Sequence, residues 1–263
     1  MPVIRVLFLG DVVGQSGCRA LFINLKSITK KIKADMVIVN GENAKEGFGL
    51  TAEIMTAFFK SGADVITSGN HIWQHKEIYP YLKSEDKLLR PENYIESLPG
   101  KGNCLISKKG IIMAVVNLQG RMFLSALRCP FKIGRETARR LSRETKIIIV
   151  DFHAESVDEK EALALYLDGQ VSAVIGTHTH VQTADQRILP AGTGYLTDVG
   201  MVGPQNSVIG MNREIAIQRG LTQMPLKMDV VEKPAIIMGV LLEIDVQSGK
   251  TVAIKLISEN SSM

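Results

Sequence analysis

Residues 3–43 read VIRVLFLGDVVGQSGCRALFINLKSITKKIKADMVIVNGEN. An apolar run over 3–9 gives way to a loop punctuated by Gly10, Gly14 and Gly17. From about Cys18 to Lys33 the apolar positions Leu21, Leu25, Ile28 and Ile32 recur at helical spacing, and a second apolar run covers 36–40. Strand, helix and strand therefore follow in order. The pattern then repeats, with a helix over 51–61 capped by Thr51 and a strand over 64–67. Strands separated by helices in this way build a parallel sheet.

What the apolar runs end in bears on function. They close as LFLGD (Asp11), VIVNGEN (Glu42, Asn43), VITSGNH (Asn70, His71), IIIVDFH (His153) and VIGTHTH (His178, His180). The carboxyl ends of parallel strands open onto one crevice, where ligands bind. Five strand ends would thus deliver acids, amides and four of the chain's five histidines to a single place. Each motif alone has a plainer reading, a turn whose side chains cap local backbone; five coincident placements weigh against that reading for the set. Imidazole, carboxylate and amide ligands without cysteine suit Fe, Mn or Zn and disfavour an iron–sulfur cluster. Two such ions can clamp a phosphoryl group and lower the pKa of a bound water.

The remainder of the chain continues the alternation. Strands are expected over 103–107 and 111–118 with KKG as the hairpin turn between them. A helix over 134–145, a strand over 146–151, a helix over 158–168 and a strand over 171–175 follow. Residues 235–257 read as a second hairpin that turns at Gly249. Candidate ligands run from residue 11 to residue 180, so no domain boundary is placed and 1–263 is expected to be one domain.

Composition sets the class. The chain has 263 residues, 45% hydrophobic and 22% charged, enough for a substantial core. Its net charge of +4, from 31 basic and 27 acidic residues, is too slight to signal a nucleic-acid groove. Two basic clusters, Lys30, Lys31 and Lys33, then Arg135, Arg139, Arg140 and Arg143, read as solvated helix faces. Cys18, Cys104 and Cys129 are odd in number and widely spaced, as in reduced cytosolic proteins. The opening MPVIRVLFLGD is too quickly interrupted for a signal peptide, and the longest apolar stretch, 235–244, is too short to span a bilayer. The expectation is a cytoplasmic protein without membrane attachment, its oligomeric state left open, a homo-oligomer included.

The series GD, GEN, GNH, DFHAE and GTHTH resembles the calcineurin-like metallophosphoesterases. Most members open with D-x-H, whereas Val13 stands two after Asp11 and the Glu42–Asn43 pair replaces a bridging Asp. That departure, with GNHIW, RPENY, GTHTHVQTAD and TDVGMVGP, is similar to the YmdB-type subfamily nearly end to end. The resemblance implies an α/β sandwich of mixed β-sheets flanked by helices, in a single domain. It implies a phosphodiesterase of 2′,3′-cyclic nucleotides that binds two metal ions, Fe or Mn first and Zn third. Carried over by motif, Asp11, Asn43 and His180 would hold the first ion and Glu42 would bridge. Asn70, His153 and His178 would complete the second site, and His71 would be the general acid, after in-line attack by a bridging hydroxide. The missing histidine of D-x-H would be replaced by the Asn43 amide.

Alternatives stand beside this reading. A phosphomonoesterase or nucleotidase could use the same ions, and a regulatory protein linked to RNA metabolism could keep them for structure. Specificity is expected in the loops 84–103 and 119–134. His75 reads as a surface histidine, Trp73 as a core residue rather than a base-stacking one, and Asp185 and Asp198 as loop residues without a catalytic part.

Overall fold

The computed structural model describes residues 2–261; Met1, Ser262 and Met263, included in the expected domain 1–263, lie outside them. In chain order the strands are β1 (Val3–Leu9), β2 (Asp11–Val12), β3 (Met36–Asn40), β4 (Val65–Thr67), β5 (Asn103–Lys108), β6 (Ile111–Gln119) and β7 (Ile148–His153). β8 (Ala173–Thr177), β9 (Arg187–Ile188), β10 (Gly194–Leu196), β11 (Met201–Pro204), β12 (Ala235–Asp245) and β13 (Thr251–Asn260) follow. The helices are α1 (Gly14–Ile32), α2 (Ala52–Ser61), α3 (Tyr79–Ser84), α4 (Pro130–Leu141), α5 (Val157–Tyr166) and α6 (Arg213–Thr222).

The strands form two mixed sheets. In the first, β1, β3 and β4 run parallel as expected from 3–67. β12 pairs antiparallel with β1, β11 and β13, and β2 pairs with β11. In the second sheet the order is β5-β6-β7-β8-β10-β9, parallel from β6 through β10. The expected hairpins of β5 with β6 and β12 with β13 are both present.

Three apolar layers hold the sheets and helices together. Leu21, Leu25 and Ile28 of α1 and Phe58 of α2 cover the outer face of the first sheet. Ile133 and Leu141 of α4 and Leu163 of α5 cover the outer face of the second. Between the sheets lie Val6 and Phe8 of β1, Ile38 of β3, Met113 and Val115 of β6, Ile149 of β7 and Ile175 of β8. Each such side chain, fully buried, stabilises the fold by about 1.5–3 kcal/mol.

Side chains alternate along a strand, so the inward row of each strand can be followed to its end. There the row turns polar. Ile38 is succeeded by Asn40, Val65 by Thr67, Val115 by Asn117 and Gln119, Ile149 by Asp151 and His153, and Ile175 by Thr177, all without exposure to solvent. The polar ends of five rows define the site.

Several boundaries differ from the sequence reading. α1 begins at Gly14, so Gly14 and Gly17 belong to its first turn and not to a loop. Gly17 is required there because a Cβ would stand 2.2 Å from the Val202 carbonyl oxygen of β11. α4 begins with Pro130 at its first turn and ends at Leu141, ahead of the expected 134–145. β7 lies two residues later than 146–151, which places His153 on the strand. α5 starts at Val157, after Ser156 accepts the Glu159 backbone N–H. The strands β9 to β11 and helix α6 have no counterpart in the sequence reading. The three cysteines are free; burial pushes the Cys18 and Cys104 thiols up to about 12. No helix of the described residues is long and apolar enough to cross a membrane.

Candidate metal centre

Asp11, Glu42, Asn43, Asn70, His71, His153, His178 and His180 converge at the carboxyl ends of β1, β3, β4, β7 and β8. Asp11, Glu42 and His153 are fully buried. The Asn43 Nδ2 lies 3.2 Å from Asp11 Oδ1 and 3.0 Å from His180 Nε2, which groups the three residues expected around the first ion. Glu42 Oε1 stands 2.8 Å from His153 Nε2. His153 Nε2 is 3.0 Å from His178 Nδ1, and one ligand atom each from Glu42, His153 and His178 fit within 4.8 Å of one another.

Local backbone explains the convergence. Gly69 lies so close that a Cβ would meet Glu42 Oε2 at 2.3 Å and His153 Nε2 at 2.4 Å, so only glycine lets Asn70 follow at this spot. His178 and His180 both adopt positive φ, +101° and +64°, rare for residues with a side chain. Such strain persists where the surroundings impose it, and it lies here at the loop that carries two imidazoles. Asp198 provides the restraint: it accepts the Thr179 N–H at 3.0 Å and the Gly200 N–H at 2.9 Å. Lys160, fully buried, holds Asp198 at 2.7 Å. Lys160→Met is expected to lower the unfolding free energy by about 3–5 kcal/mol, because it leaves Asp198 charged, buried and unpaired. Urea denaturation checks this; a loss below about 1 kcal/mol would show that the pair does not restrain the loop.

Residues around the candidate ligands fix the imidazole tautomers. The single Thr177 hydroxyl proton goes to Asp151 Oδ1 at 2.7 Å, so the 2.9 Å contact with His153 Nδ1 needs the proton on that nitrogen. When His153 is neutral, its Nε2 lone pair would then face Glu42 and His178. Asn40 reaches across from the first sheet to Asp151 Oδ2 at 3.0 Å and accepts the Glu42 N–H at 3.2 Å. His180 Nδ1 donates to the Ile209 carbonyl at 2.8 Å, freeing its Nε2. His178 Nε2 meets Glu155 at 3.0 Å. Partners of this kind orient metal-binding histidines.

The electrostatics call for a cation. Burial opposes charge on both partners, but the Glu42–His153 contact outweighs it, raising His153 to about 9 and lowering Glu42 to about 2. Without an ion, a proton on His153 supplies the positive charge. Burial, then His153, pushes His178 down to about 3 and keeps it neutral, as a ligand must be. Asn70 Oδ1 is buried and has no hydrogen-bond partner. An orphaned amide oxygen one residue after Gly69, which itself lies against Glu42 and His153, fits a site for a metal ion held by oxygen and nitrogen donors.

Val13, where most members carry the D-x-H histidine, is buried apolar core. Asn43 lies instead between Asp11 and His180. Its amide presents Nδ2 to them and Oδ1 to His71 Nδ1 at 2.9 Å, so ligation through oxygen requires the amide turned over. His71 is partly exposed, packs edge-on against Phe48 at 5.0 Å, and burial lowers its pKa.

The family model of YmdB-like proteins matches residues 7–257. The chain belongs to the YmdB-like protein family. A Bacillus subtilis (strain 168) relative in the same family, the 2′,3′-cyclic-nucleotide 2′-phosphodiesterase, is 46% identical over 256 residues, 97% of each chain. The crystal structure of a novel phosphatase from Mycoplasma pneumoniae matches with a TM-score of 0.92 at 36% identity, over 99% of this chain and 94% of that one. A hypothetical protein from Thermus thermophilus matches with a TM-score of 0.90 at 39% identity, over 98% and 100%. These similarities agree with the metallophosphoesterase sandwich expected from the motifs.

Sequence reading did not pick out Asn40, Asp151, Thr177, Glu155 or Lys160. A signal existed for the first three, polar residues two positions before or beside a ligand inside apolar runs. Asp198, read from the sequence as a loop residue, holds the GTHTH loop through the Thr179 N–H. Asp185 binds Thr183, Thr197 and Arg187. His75 is half-exposed and bonds the Phe48 carbonyl, and Trp73 packs against Tyr79 and Tyr94.

Proposed function

We propose that the protein is a dinuclear metal-dependent phosphodiesterase that opens 2′,3′-cyclic nucleotides, with 1–263 acting as one unit. The observation that carries this reading is the meeting of Glu42, His153 and His178 within 4.8 Å of one another, with Asp11 and His180 joined to the cluster through Asn43. The Bacillus subtilis relative, named for this substrate and alike over 97% of both chains, supports it. That printed name carries over the 2′ oxygen as the leaving atom.

Asp11, Asn43 and His180 would hold one ion, Asn70, His153 and His178 the other, with Glu42 shared. The nitrogen and oxygen donor set supports Fe or Mn, with Zn third. Two ions bound there supply charge neutralisation for the phosphoryl oxygens and an acidified water. The chain's own contribution is orientation and proton supply. Thr177 and Asp151 keep the His153 Nε2 lone pair turned inward, the Ile209 carbonyl does the same for His180, and Asp198 with Lys160 sets the loop between the histidines. His71, whose Nδ1 lies 2.9 Å from Asn43, would carry on its Nε2 the proton that passes to the leaving ribose oxygen. Three free thiols, two of them buried, support a reducing cytoplasmic setting.

Elemental analysis of purified protein, with assays on 2′,3′-cyclic AMP, 3′,5′-cyclic AMP and a simple phosphomonoester, tests the proposal. The expected result is about two ions per chain and selective cleavage of the 2′,3′ ring. Monoester hydrolysis without ring opening would favour the phosphatase alternative. Fewer than about one ion per chain after reconstitution, without diesterase activity, would sink the enzyme reading.

A further inference from the structure

RPENY at 90–94 supplies no ligand to the metal centre. It fastens the end of β6. The Asn93 side chain, fully buried, accepts the Gln119 N–H at 2.9 Å and donates to the Gln119 carbonyl at 2.8 Å. It thereby pairs with Gln119 as a neighbouring strand would. The Tyr94 hydroxyl donates to Gln119 Oε1 at 3.1 Å. Tyr94 is itself wedged edge-on against Trp73, ring centres 5.3 Å apart.

Gln119 is fully buried, and its Nε2 has no hydrogen-bond partner. Turning the amide over would exchange an orphaned donor for an orphaned acceptor, since Tyr94 offers one hydroxyl to one amide atom. A buried amide group left unpaired is costly, and it persists where something from outside completes it.

Its position says what that is. Gln119 stands directly opposite His153 in the parallel β6–β7 ladder, so the two side chains leave the same face of the sheet. That face looks between the sheets, toward Asp11 and Glu42. The Gly120 N–H continues the contact, bonding the His153 carbonyl at 2.9 Å. Tyr94 is near enough to Glu42 for that carboxylate to add to the rise that burial causes in its pKa. An uncharged N–H donor at the strand position paired with a proposed metal ligand is matched to an anionic oxygen.

We infer that Gln119 Nε2 donates a hydrogen bond to a non-bridging phosphoryl oxygen of the bound ester, and that Tyr94 and Asn93 position it. This deepens the phosphodiesterase reading and rests on it. Asn93 and Tyr94 lie within 84–103, and Gln119, the last residue of β6, opens 119–134, the two segments in which the sequence reading expects specificity. Gln119 thus binds substrate, while Tyr94 and Asn93 act through it.

The test titrates inorganic phosphate into the metal-containing protein by calorimetry, alongside turnover of 2′,3′-cyclic AMP and elemental analysis. Gln119→Met keeps the length of the side chain and removes the donor. Phosphate affinity is expected to fall roughly 10–100-fold, the weight of one hydrogen bond to a charged group. kcat/KM should fall by roughly 10²–10³, as when a donor to a developing oxyanion is deleted. Metal content should stay unchanged. Gln119→Glu, nearly the same shape, replaces the donor with a like charge and should weaken phosphate further still. Tyr94→Phe, which frees the amide, should give a smaller loss in the same direction. Phosphate affinity within about twofold of the parent protein in Gln119→Met or Gln119→Glu, with metal retained, would overturn the assignment and leave the orphaned amide to a water. A parent protein that binds phosphate through Gln119 yet opens no 2′,3′-cyclic nucleotide would support Gln119 and overturn the substrate reading instead.

Discussion

Glu42→Gln is expected to cut turnover of a 2′,3′-cyclic nucleotide by more than about 10³-fold and to leave fewer than about one metal ion per chain. Glu42 is buried completely, and both of its oxygens are committed inside the site, one 2.8 Å from His153 and the other accepting the His71 backbone N–H at 3.1 Å. Burial favours its neutral form, but His153 prevails and holds its pKa down to about 2, so the group is an anion at any working pH. Glutamine preserves volume and one acceptor oxygen while deleting that charge. Asp11 would then be the one carboxylate left among the proposed ligands, facing two cations. Several kcal/mol of charge stabilisation depend on those cations, and each 1.36 kcal/mol is tenfold in rate. The ion-free variant should still fold, since the proton that His153 borrows from the pairing can leave an imidazole whose ordinary pKa is near neutrality. A readout independent of activity follows by linkage: added Mn²⁺ should raise the melting temperature of the parent protein and not that of the variant. A variant that keeps two ions and loses less than about tenfold in rate would remove Glu42 from the bridging position.

The parts of this fold legible in the sequence are those with a period. Residues 3–67 show apolar runs and a 3.6-residue stripe, and they fold as β1-α1-β3-α2-β4 with parallel pairing. β9 and β10, of two and three residues, are too short to express alternation, and α6 buries none of its residues, so it has no stripe to read. The site divides on the same principle. Glu42 and Asn70 stand at strand ends beside glycine, His178 and His180 form an HxH pair and His153 closes a long apolar run, where residue type and place both show. Asn40, Asp151 and Thr177 stand inside apolar runs, and their meaning depends on which face turns inward. Gln119 was beyond reach for a further reason. Its orphaned amide exists only because Asn93 and Tyr94, some 25 residues earlier in the chain, occupy its other atoms. Register between distant segments creates that partnership, and no local pattern encodes it.

His71→Ala should lower kcat for 2′,3′-cyclic AMP by roughly 10²–10⁴-fold, the usual contribution of a general acid, while both ions stay bound. The geometry separates His71 from the ligands on which it borders. Its Nδ1 is 2.9 Å from Asn43 Oδ1 and 3.6 Å from Glu42 Oε1, and its backbone N–H is taken by Glu42, so the residue is anchored to the cluster from one side. The Phe48 ring fixes its tilt at 5.0 Å. Its Nε2 makes no hydrogen bond among the described residues, and the side chain is 23% exposed, so this nitrogen can meet a ligand arriving from solvent. Alanine removes the proton donor and leaves Asn43 free to bond elsewhere. The leaving group supplies the deciding comparison. A ribose oxygen departs as a poor anion and needs a proton, whereas 4-nitrophenolate is stable without one. With bis(4-nitrophenyl) phosphate the same variant should therefore lose less than about tenfold. Equal losses on both substrates would mean that His71 binds the phosphoryl group rather than protonating the leaving oxygen. Loss of metal from His71→Ala would make it a ligand. Only a leaving-group-dependent loss with full metal content is the signature of an acid.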